Sequence, residues 1–240
     1  MKKKKIFYLI SFLSILVILW FFDIPKYFFD KKMPIENIEI TGYKILSLSD
    51  IENFFADEIK NKNLLFFNPW NLQKKIIAHP LAQNVEIKKQ YPNKLSIYFE
   101  EKEAILLLND NKKNYILDKN GLITEINENL IRKYSEISNL LKIEGDDILD
   151  ESREIAKIFL NKNYTKRIVG LYKIGKRRWD MIVDYKIKVM LPEVINDDYM
   201  NYVFNSIDKL KINDDVHRNA IYSIVDMRVN NRIFVKNIDE

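Results

Sequence analysis

Val85-Glu86-Ile87-Lys88-Lys89-Gln90-Tyr91-Pro92-Asn93-Lys94-Leu95-Ser96-Ile97-Tyr98-Phe99-Glu100-Glu101 reads as two strands around a turn. Leu95, Ile97 and Phe99 alternate with Ser96, Tyr98 and Glu100, the two-residue period of a half-buried strand. Tyr91-Pro92-Asn93-Lys94 supplies the turn. Upstream, Asn68-Pro69-Trp70 sets an N-cap residue before a proline at the first helical position. It opens a helix carrying Leu72, Ile76 and Ile77 that stops near His79-Pro80. Earlier still, Ser49 and Glu52 have capping-box spacing and predict a helix that buries Ile51, Phe54, Phe55 and Ile59. A strand over Ile35 to Ile40 precedes it and ends in a Thr41-Gly42 turn. Residues 35–103 thus read strand, helix, helix, strand, strand.

Toward the N-terminus, Lys2 to Lys5 precede Ile6 to Phe22, an apolar run broken only by Ser11 and Ser14. At about 1.5 Å per residue this is a short membrane helix, with the aromatic group Trp20, Phe21 and Phe22 at one end and lysines able to snorkel at the other. A cleaved signal peptide begins the same way, but it needs small residues at its cut site. Leu19-Trp20-Phe21-Phe22-Asp23-Ile24-Pro25 offers none, so an uncleaved anchor is expected. The four lysines hold the N-terminus in the cytoplasm. Residues 1–5 are then a cytoplasmic tail, 6–22 the membrane span and 23–34 a juxtamembrane linker.

Residues 104–240 read mostly as strands: Ala104 to Leu108, Tyr115 to Leu117, Leu122 to Ile126, Leu140 to Ile143, Arg167 to Ile174, Trp179 to Asp184, Lys186 to Leu191, Ile221 to Arg228 and Arg232 to Val235. Helical spacing appears over Ile148 to Leu160 and Asp197 to Leu210. The fold class is α+β: one transmembrane helix, a β-α-α-β-β domain, then a mostly antiparallel β domain with two helices.

Composition narrows the function. The net charge is +5, but Lys2 to Lys5 account for most of it, and without residues 1–22 there remain 35 basic against 34 acidic residues. No basic face is left to neutralise phosphates, which argues against a nucleic-acid partner. The chain has no cysteine, which excludes disulfides and thiol chemistry. Its two histidines, His79 and His217, lie in no nucleophile motif. The acid pairs Asp146-Asp147, Asp197-Asp198 and Asp214-Asp215 sit in polar loops or at helix starts, where solvation and the helix dipole account for them. Arg177-Arg178-Trp179 reads either as an anion-binding cluster or as a strand start with Trp179 in the core. No catalytic, cofactor or metal residues are predicted.

His79-Pro80-Leu81, then Val85-Glu86-Ile87 and Tyr91-Pro92-Asn93-Lys94-Leu95-Ser96-Ile97, resemble the POTRA domain of FtsQ/DivIB division proteins. Glu100-Glu101-Lys102 stands where that family has its Glu-Arg motif. Further along, Tyr115 to Ile123 resembles the family's hairpin with an aspartate and glycine in its turn. Arg177 to Asp180 followed by Val189 to Glu193 resembles the proteobacterial FtsQ pattern. Ile224 to Arg232 is similar to the closing Asp-x-Arg strand and turn, without the family's glycine there. The resemblance implies a membrane-anchored, non-enzymatic scaffold of the division septum, in the inner membrane with its domains in the periplasm. It also implies that the last strands receive a segment of the coiled-coil partner FtsB, which comes with FtsL, by strand addition. Arg228 would meet an acid on that partner.

The candidate partner-binding residues are Asp226, Arg228, Val229, Asn231, Arg232, Ile233, Phe234 and Val235. Asn230-Asn231 is expected to form a two-residue turn, because asparagine tolerates positive φ. Val229 would then face Arg232, and Met227 would face Phe234 on the core side. Ile233 and Val235 would share a face with Asp226 and Arg228 and aim their N–H groups at an open edge. Two other classes of function stay open. One is an outer-membrane assembly factor, whose repeats or barrel are missing here; the other is an anchored periplasmic enzyme.

Overall fold

The structure is a computed structural model describing residues 2–21, 33–159, 162–175, 177–210, 223–229 and 232–237. Most of the expected linker over 23–34 lies outside the described residues, as do Leu160, Ile221, His217 and Asp214-Asp215. Helix α1 spans Lys2–Phe21. Among the described residues, no helix is long and apolar enough to cross a membrane. The chain divides after Glu101 into two compact units.

The first unit is a three-stranded sheet, β1 (Asn37–Thr41), β2 (Ala82–Gln90) and β3 (Lys94–Glu101), in the order β1-β3-β2. β1 runs parallel to β3, and β2 runs antiparallel to it. The alternation in β3 puts Leu95, Ile97 and Phe99 in the core, each at most 1% exposed. Helices α2 (Leu48–Ile59) and α3 (Pro69–Ile77) pack in this unit. Asn68 caps α3 by accepting from the Trp70 N–H at 3.0 Å.

The capping box of α2 sits two residues earlier than its sequence spacing indicated. Ser47, not Ser49, accepts from the Asp50 N–H, and its hydroxyl donates to the Asp50 carboxylate at 2.6 Å. Ser47 and Asp50 have the same spacing with a shorter acid. Ile51, Phe55 and Ile59 are buried as expected, but Phe54 is half-exposed and sets its ring edge-on to His79. Gly42, at φ +90°, is held so close to β3 that a Cβ would stand 2.8 Å from the Phe99 carbonyl.

The second unit is one nine-stranded sheet. Its strands are β4 (Ala104–Asp110), β5 (Lys113–Asp118), β6 (Ile123–Glu125), β7 (Leu141–Gly145), β8 (Ile168–Ile174), β9 (Arg178–Val183), β10 (Ile187–Pro192), β11 (Ser223–Asp226) and β12 (Phe234–Asn237). Their order is β12-β11-β10-β9-β8-β7-β4-β5-β6. Helices α4 (Glu128–Lys133) and α5 (Ser135–Ser138) and a 3-10 turn over Asn163–Arg167 were not read from the sequence. The two expected helices are α6 (Leu149–Phe159) and α7 (Asp197–Lys209).

The sheet is less antiparallel than expected. β4 with β7, β7 with β8, and β10 with β11 are parallel. Each parallel neighbour follows a helical segment: α4 and α5 before β7, α6 before β8, α7 before β11. A crossover of a dozen or more residues returns the chain in its original direction, so each helix brings in a parallel neighbour. Trp179, Met181, Val183, Val189, Leu191 and Val225 form the centre of the core with Phe159, Val203 and Ile207 from α6 and α7. Trp179 donates its indole N–H to the Glu193 carbonyl at 3.1 Å, so this aromatic belongs to the core.

Buried carboxylates hold the loops. Asp118 Oδ1 accepts from the Asn120 and Leu122 N–H groups at 2.9 Å, closing the Asp-Lys-Asn-Gly turn. Asp110 Oδ1 accepts from the Ile148 N–H at 2.8 Å. In the first unit Glu101 plays that part, taking the Ile45 N–H at 2.6 Å and the Leu46 N–H at 2.9 Å. Glu101→Ala strands two part-buried donors and should cost about 1–3 kcal/mol. Urea unfolding, followed by a probe in each unit, should show the loss in the first unit alone.

Candidate partner-binding edge

The last two strands close one end of the sheet, and their hydrogen-bond phase is set from inside. β11 lies parallel to β10, with the Ser223 N–H on the Lys186 carbonyl (3.3 Å) and the Met227 N–H on the Met190 carbonyl (2.9 Å). In a parallel ladder alternate residues turn to one neighbour, so Ser223, Val225 and Met227 bond to β10 while Ile224 and Asp226 turn outward. β12 pairs with that outward side, Asp226 opposite Phe234 and Ile224 opposite Lys236. Phe234 and Lys236 therefore bond inward. The N–H groups of Val235 and Asn237 point away from the sheet. All four residues of β12 are exposed.

This register differs by one residue from the sequence expectation, which set Met227 opposite Phe234. Phe234 shares its face with Asp226 and is 58% exposed, so it is no core residue. Val235 shares the face of Val225, and Ile233 packs against the core. The cause lies after Asp226. Its carboxylate accepts the Arg228 N–H at 3.1 Å, which bends the chain out of the ladder. The Arg232 N–H still closes a turn on the Val229 carbonyl at 3.1 Å. Three residues then separate β11 from that turn's centre and two separate it from β12, and the extra residue flips the faces. The expected turn residues Asn230 and Asn231 lie outside the described residues.

Arg228 is forked on Asp226, with Nε at 2.9 Å from Oδ1 and Nη2 at 2.6 Å from Oδ2. Asp226 continues a row of charge across the outer face. Met190 lies between Asp226 on β11 and Asp180 on β9. Asp180 is 2% exposed; Arg178 Nε donates to its Oδ1 at 3.0 Å, and Lys188 Nζ makes an ion pair with Oδ2 at 2.7 Å without hydrogen-bond geometry. Arg178 is thus committed to an acid of its own strand. Arg177 and Arg232 are exposed.

On the opposite side, Tyr199 of α7 donates its hydroxyl to the Met227 carbonyl, which pins the hairpin to the helix, and burial pushes its phenol upward in pKa. Sequence reasoning missed Tyr199, Asp180 and Lys188. Tyr199 is half-buried on the flank of the apolar stripe of α7, and its place beside Met200 is the signal that could have marked it. An open groove of about 850 Å³ runs beside the hairpin, bordered by Val194, Tyr202, Arg228 and Val229.

Asp197 and His79 have local tasks. His79 Nδ1 accepts the Leu81 N–H at 3.2 Å. Asp197 binds Lys162 at 2.6 Å and the Tyr164 hydroxyl at 3.2 Å. Burial, then Asp197, pushes the Tyr164 phenol up to about 12.

The side-chain hydrogen bond from Arg228 is the largest cause holding the Asp226 carboxyl below the ordinary carboxylate range. A depressed carboxylate stabilises the fold above its unfolded pKa of about 4, and that contribution fades as pH falls through the lower folded value. The hairpin should therefore loosen only below about pH 4. Amide exchange over residues 223–229 at stepped pH checks this, and Asp226→Asn should remove the acid-dependent part.

Residues 33–102 match the POTRA domain, FtsQ-type, and residues 106–228 match Cell division protein FtsQ/DivIB, C-terminal. The chain is 28% identical over 178 residues to Cell division protein DivIB of Clostridium tetani, covering 71% of this chain and 62% of that one. It is 30% identical over 118 residues to Cell division protein DivIB of Clostridium acetobutylicum, covering 48% of this chain and 45% of that one. Cell division protein FtsQ of Rickettsia typhi is 24% identical over 202 residues, covering 82% and 67%. The chain thus spans less than two thirds of the two clostridial relatives. Relatives of both names match, and the two domain descriptions follow one another across both folded units: the chain belongs to the FtsQ/DivIB family of cell-division proteins.

Proposed function

We propose that this protein is a single-span scaffold of the bacterial division septum that binds partners of the FtsB and FtsL type by adding their strand to β12. The observation that carries this reading is the edge itself. Val235 and Asn237 direct backbone donors outward from a strand exposed along its whole length. Unpaired edge groups invite a partner strand, and backbone bonds supply affinity while alternate side chains supply selectivity. Phe234 and Lys236 stand on the face of Asp226, where an incoming strand would meet them with Arg228 nearby. The opposite edge, β6, has three residues and is less suited. The role is one of binding rather than catalysis.

The anchor belongs to the same proposal. Ile6 to Val17 and Trp20 expose their apolar side chains all round α1, between 49% for Leu16 and 85% for Trp20. A helix apolar on every face needs an apolar environment. Leu19 and Phe21, whose side chains are outside those described, complete the run in the sequence. From Ile6 to Phe21 the run is 16 residues and about 24 Å, the short end for a hydrocarbon core, with Lys2 to Lys5 able to snorkel over the remaining depth. With Lys2 to Lys5 inside, both units lie in the periplasm of an inner-membrane protein.

Val235→Pro removes only an outward donor, so partner binding should fall while the melting temperature holds. Phe234→Pro instead takes away an inward ladder bond and should lower stability by about 1 kcal/mol. Pull-down with a membrane-extracted coiled-coil partner and thermal melts on both variants separate the cases; normal binding by Val235→Pro sinks the edge. For topology, alkaline phosphatase fused after Glu240 should be active, and an inactive but folded reporter reverses the orientation.

A further inference from the structure

We propose that the end of the first unit where the chain enters from the anchor is a membrane-contact surface. Leu65, Phe66 and Trp70 seat in the interfacial layer of a bilayer, and Lys62, Lys74 and Lys89 face its anionic headgroups. This rests on the anchor reading above.

The local chemistry separates an inner from an outer pair of side chains. Asn63 is buried, its side-chain oxygen takes the Leu65 N–H at 2.8 Å, and its carbonyl takes the Phe67 N–H at 2.9 Å. That turn directs Leu64 (0% exposed) and Phe67 (9%) into the core and Leu65 (37%) and Phe66 (51%) outward. Trp70, in the first turn of α3, is 58% exposed. The core accounts for Leu64 and Phe67 and leaves the outward residues without a use inside the unit.

Location identifies what covers them. Pro34 bridges to Asn63, the Leu64 N–H donates to the Met33 carbonyl at 2.8 Å, and the Ile35 N–H donates to the Lys62 carbonyl at 3.1 Å. The outward residues thus adjoin the first residues of the unit. Only residues 22–32 lie between Met33 and the end of α1, a tether that reaches at most roughly 40 Å. Tyr91, also exposed, stands on the turn whose Asn93 carbonyl binds the Glu36 and Asn37 N–H groups, so it belongs to the same end. Lys89 Nζ donates to the Leu65 carbonyl at 3.1 Å, and Lys74 Nζ lies 5.5 Å from the Trp70 ring. Of the acids near this end, Glu36 is engaged by Asn93 at 2.6 Å and Glu58 by Lys75 at 3.3 Å. Aromatic rings beside lysines have an apolar body and a charged tip, the pairing that favours the water-lipid boundary over either phase. Lysines near an anionic leaflet add electrostatic attraction.

The chain lacks cysteine, so single labels can be placed cleanly. An environment-sensitive fluorophore is attached to Phe66→Cys, Leu48→Cys or Trp20→Cys in the full chain, reconstituted in vesicles of phosphatidylethanolamine and phosphatidylglycerol. Leu48 is exposed and lies beside the Glu101-held loop, at the far end of β3 and roughly 25 Å away. The Phe66 label should shift to the blue and be quenched by spin-labelled lipid; charge reversal of Lys62, Lys74 and Lys89 should reduce both effects. The Leu48 label should show neither. A quenched Trp20 label with a water-like Phe66 label overturns the surface and leaves the anchor standing, as does equal quenching at Phe66 and Leu48. An unquenched Trp20 label removes the anchor reading and this proposal with it.

Discussion

The Met227 N–H on the Met190 carbonyl sets the phase of everything at the sheet's end. While that bond and its counterpart at Ser223 stand, odd-numbered residues of β11 are committed to β10 and even-numbered ones face outward. β12 can join only in that phase, and its own outward groups follow. Val225, fully buried, prevents β11 from sliding by one, since a slip would drive Ile224 or Asp226 into its place. The geometry of the proposed docking edge is therefore a consequence of core packing several strands away, around Trp179. Truncating a buried aromatic of that size costs about 3–5 kcal/mol, more than any single exposed contact at the edge returns.

Charge on the outer face does different work. Asp180 is nearly sealed and needs both Arg178 and Lys188, because an uncompensated carboxylate there would be costly. Asp226 is more open, and its grip on Arg228 matters more for shape than for stability. It ends β11, turns the chain outward and holds the guanidinium at the mouth of the groove. In the proposed docking, an acid of the partner would meet a cation already oriented, with less side-chain freedom left to lose.

The two units close their loops by the same device. Glu101 and Asp110 turn a carboxylate onto backbone N–H groups of a distant loop, and Asp118 does the same within its own turn. One such acid satisfies donors that no strand reaches. The acidic positions at the end of β3 and in the β5 turn, which look like mere family markers in the sequence, are thus structural fasteners.

Periodicity and capping spacing were enough to place β2, β3, α3, α6 and α7, because those signals depend on residues within a few positions of each other. Asn68-Pro69 opens α3 whatever surrounds it. The ordered motifs also carried the family, since they run the length of both units. Ser47 in place of Ser49 as the α2 cap was a local ambiguity between two equivalent spacings. Three features lay beyond the sequence. The parallel ladders depend on where a crossover returns, a matter of which strands find each other. The hairpin register turned on one hydrogen bond from the Arg228 N–H to the Asp226 carboxylate, which adds a residue to one side and exchanges the faces of Phe234 and Val235. Tyr199 is joined to Met227 across 28 residues. Local pattern is written in neighbours along the chain, whereas register, ladder direction and edge exposure are set by contacts between distant segments, and only the folded sheet brings those together.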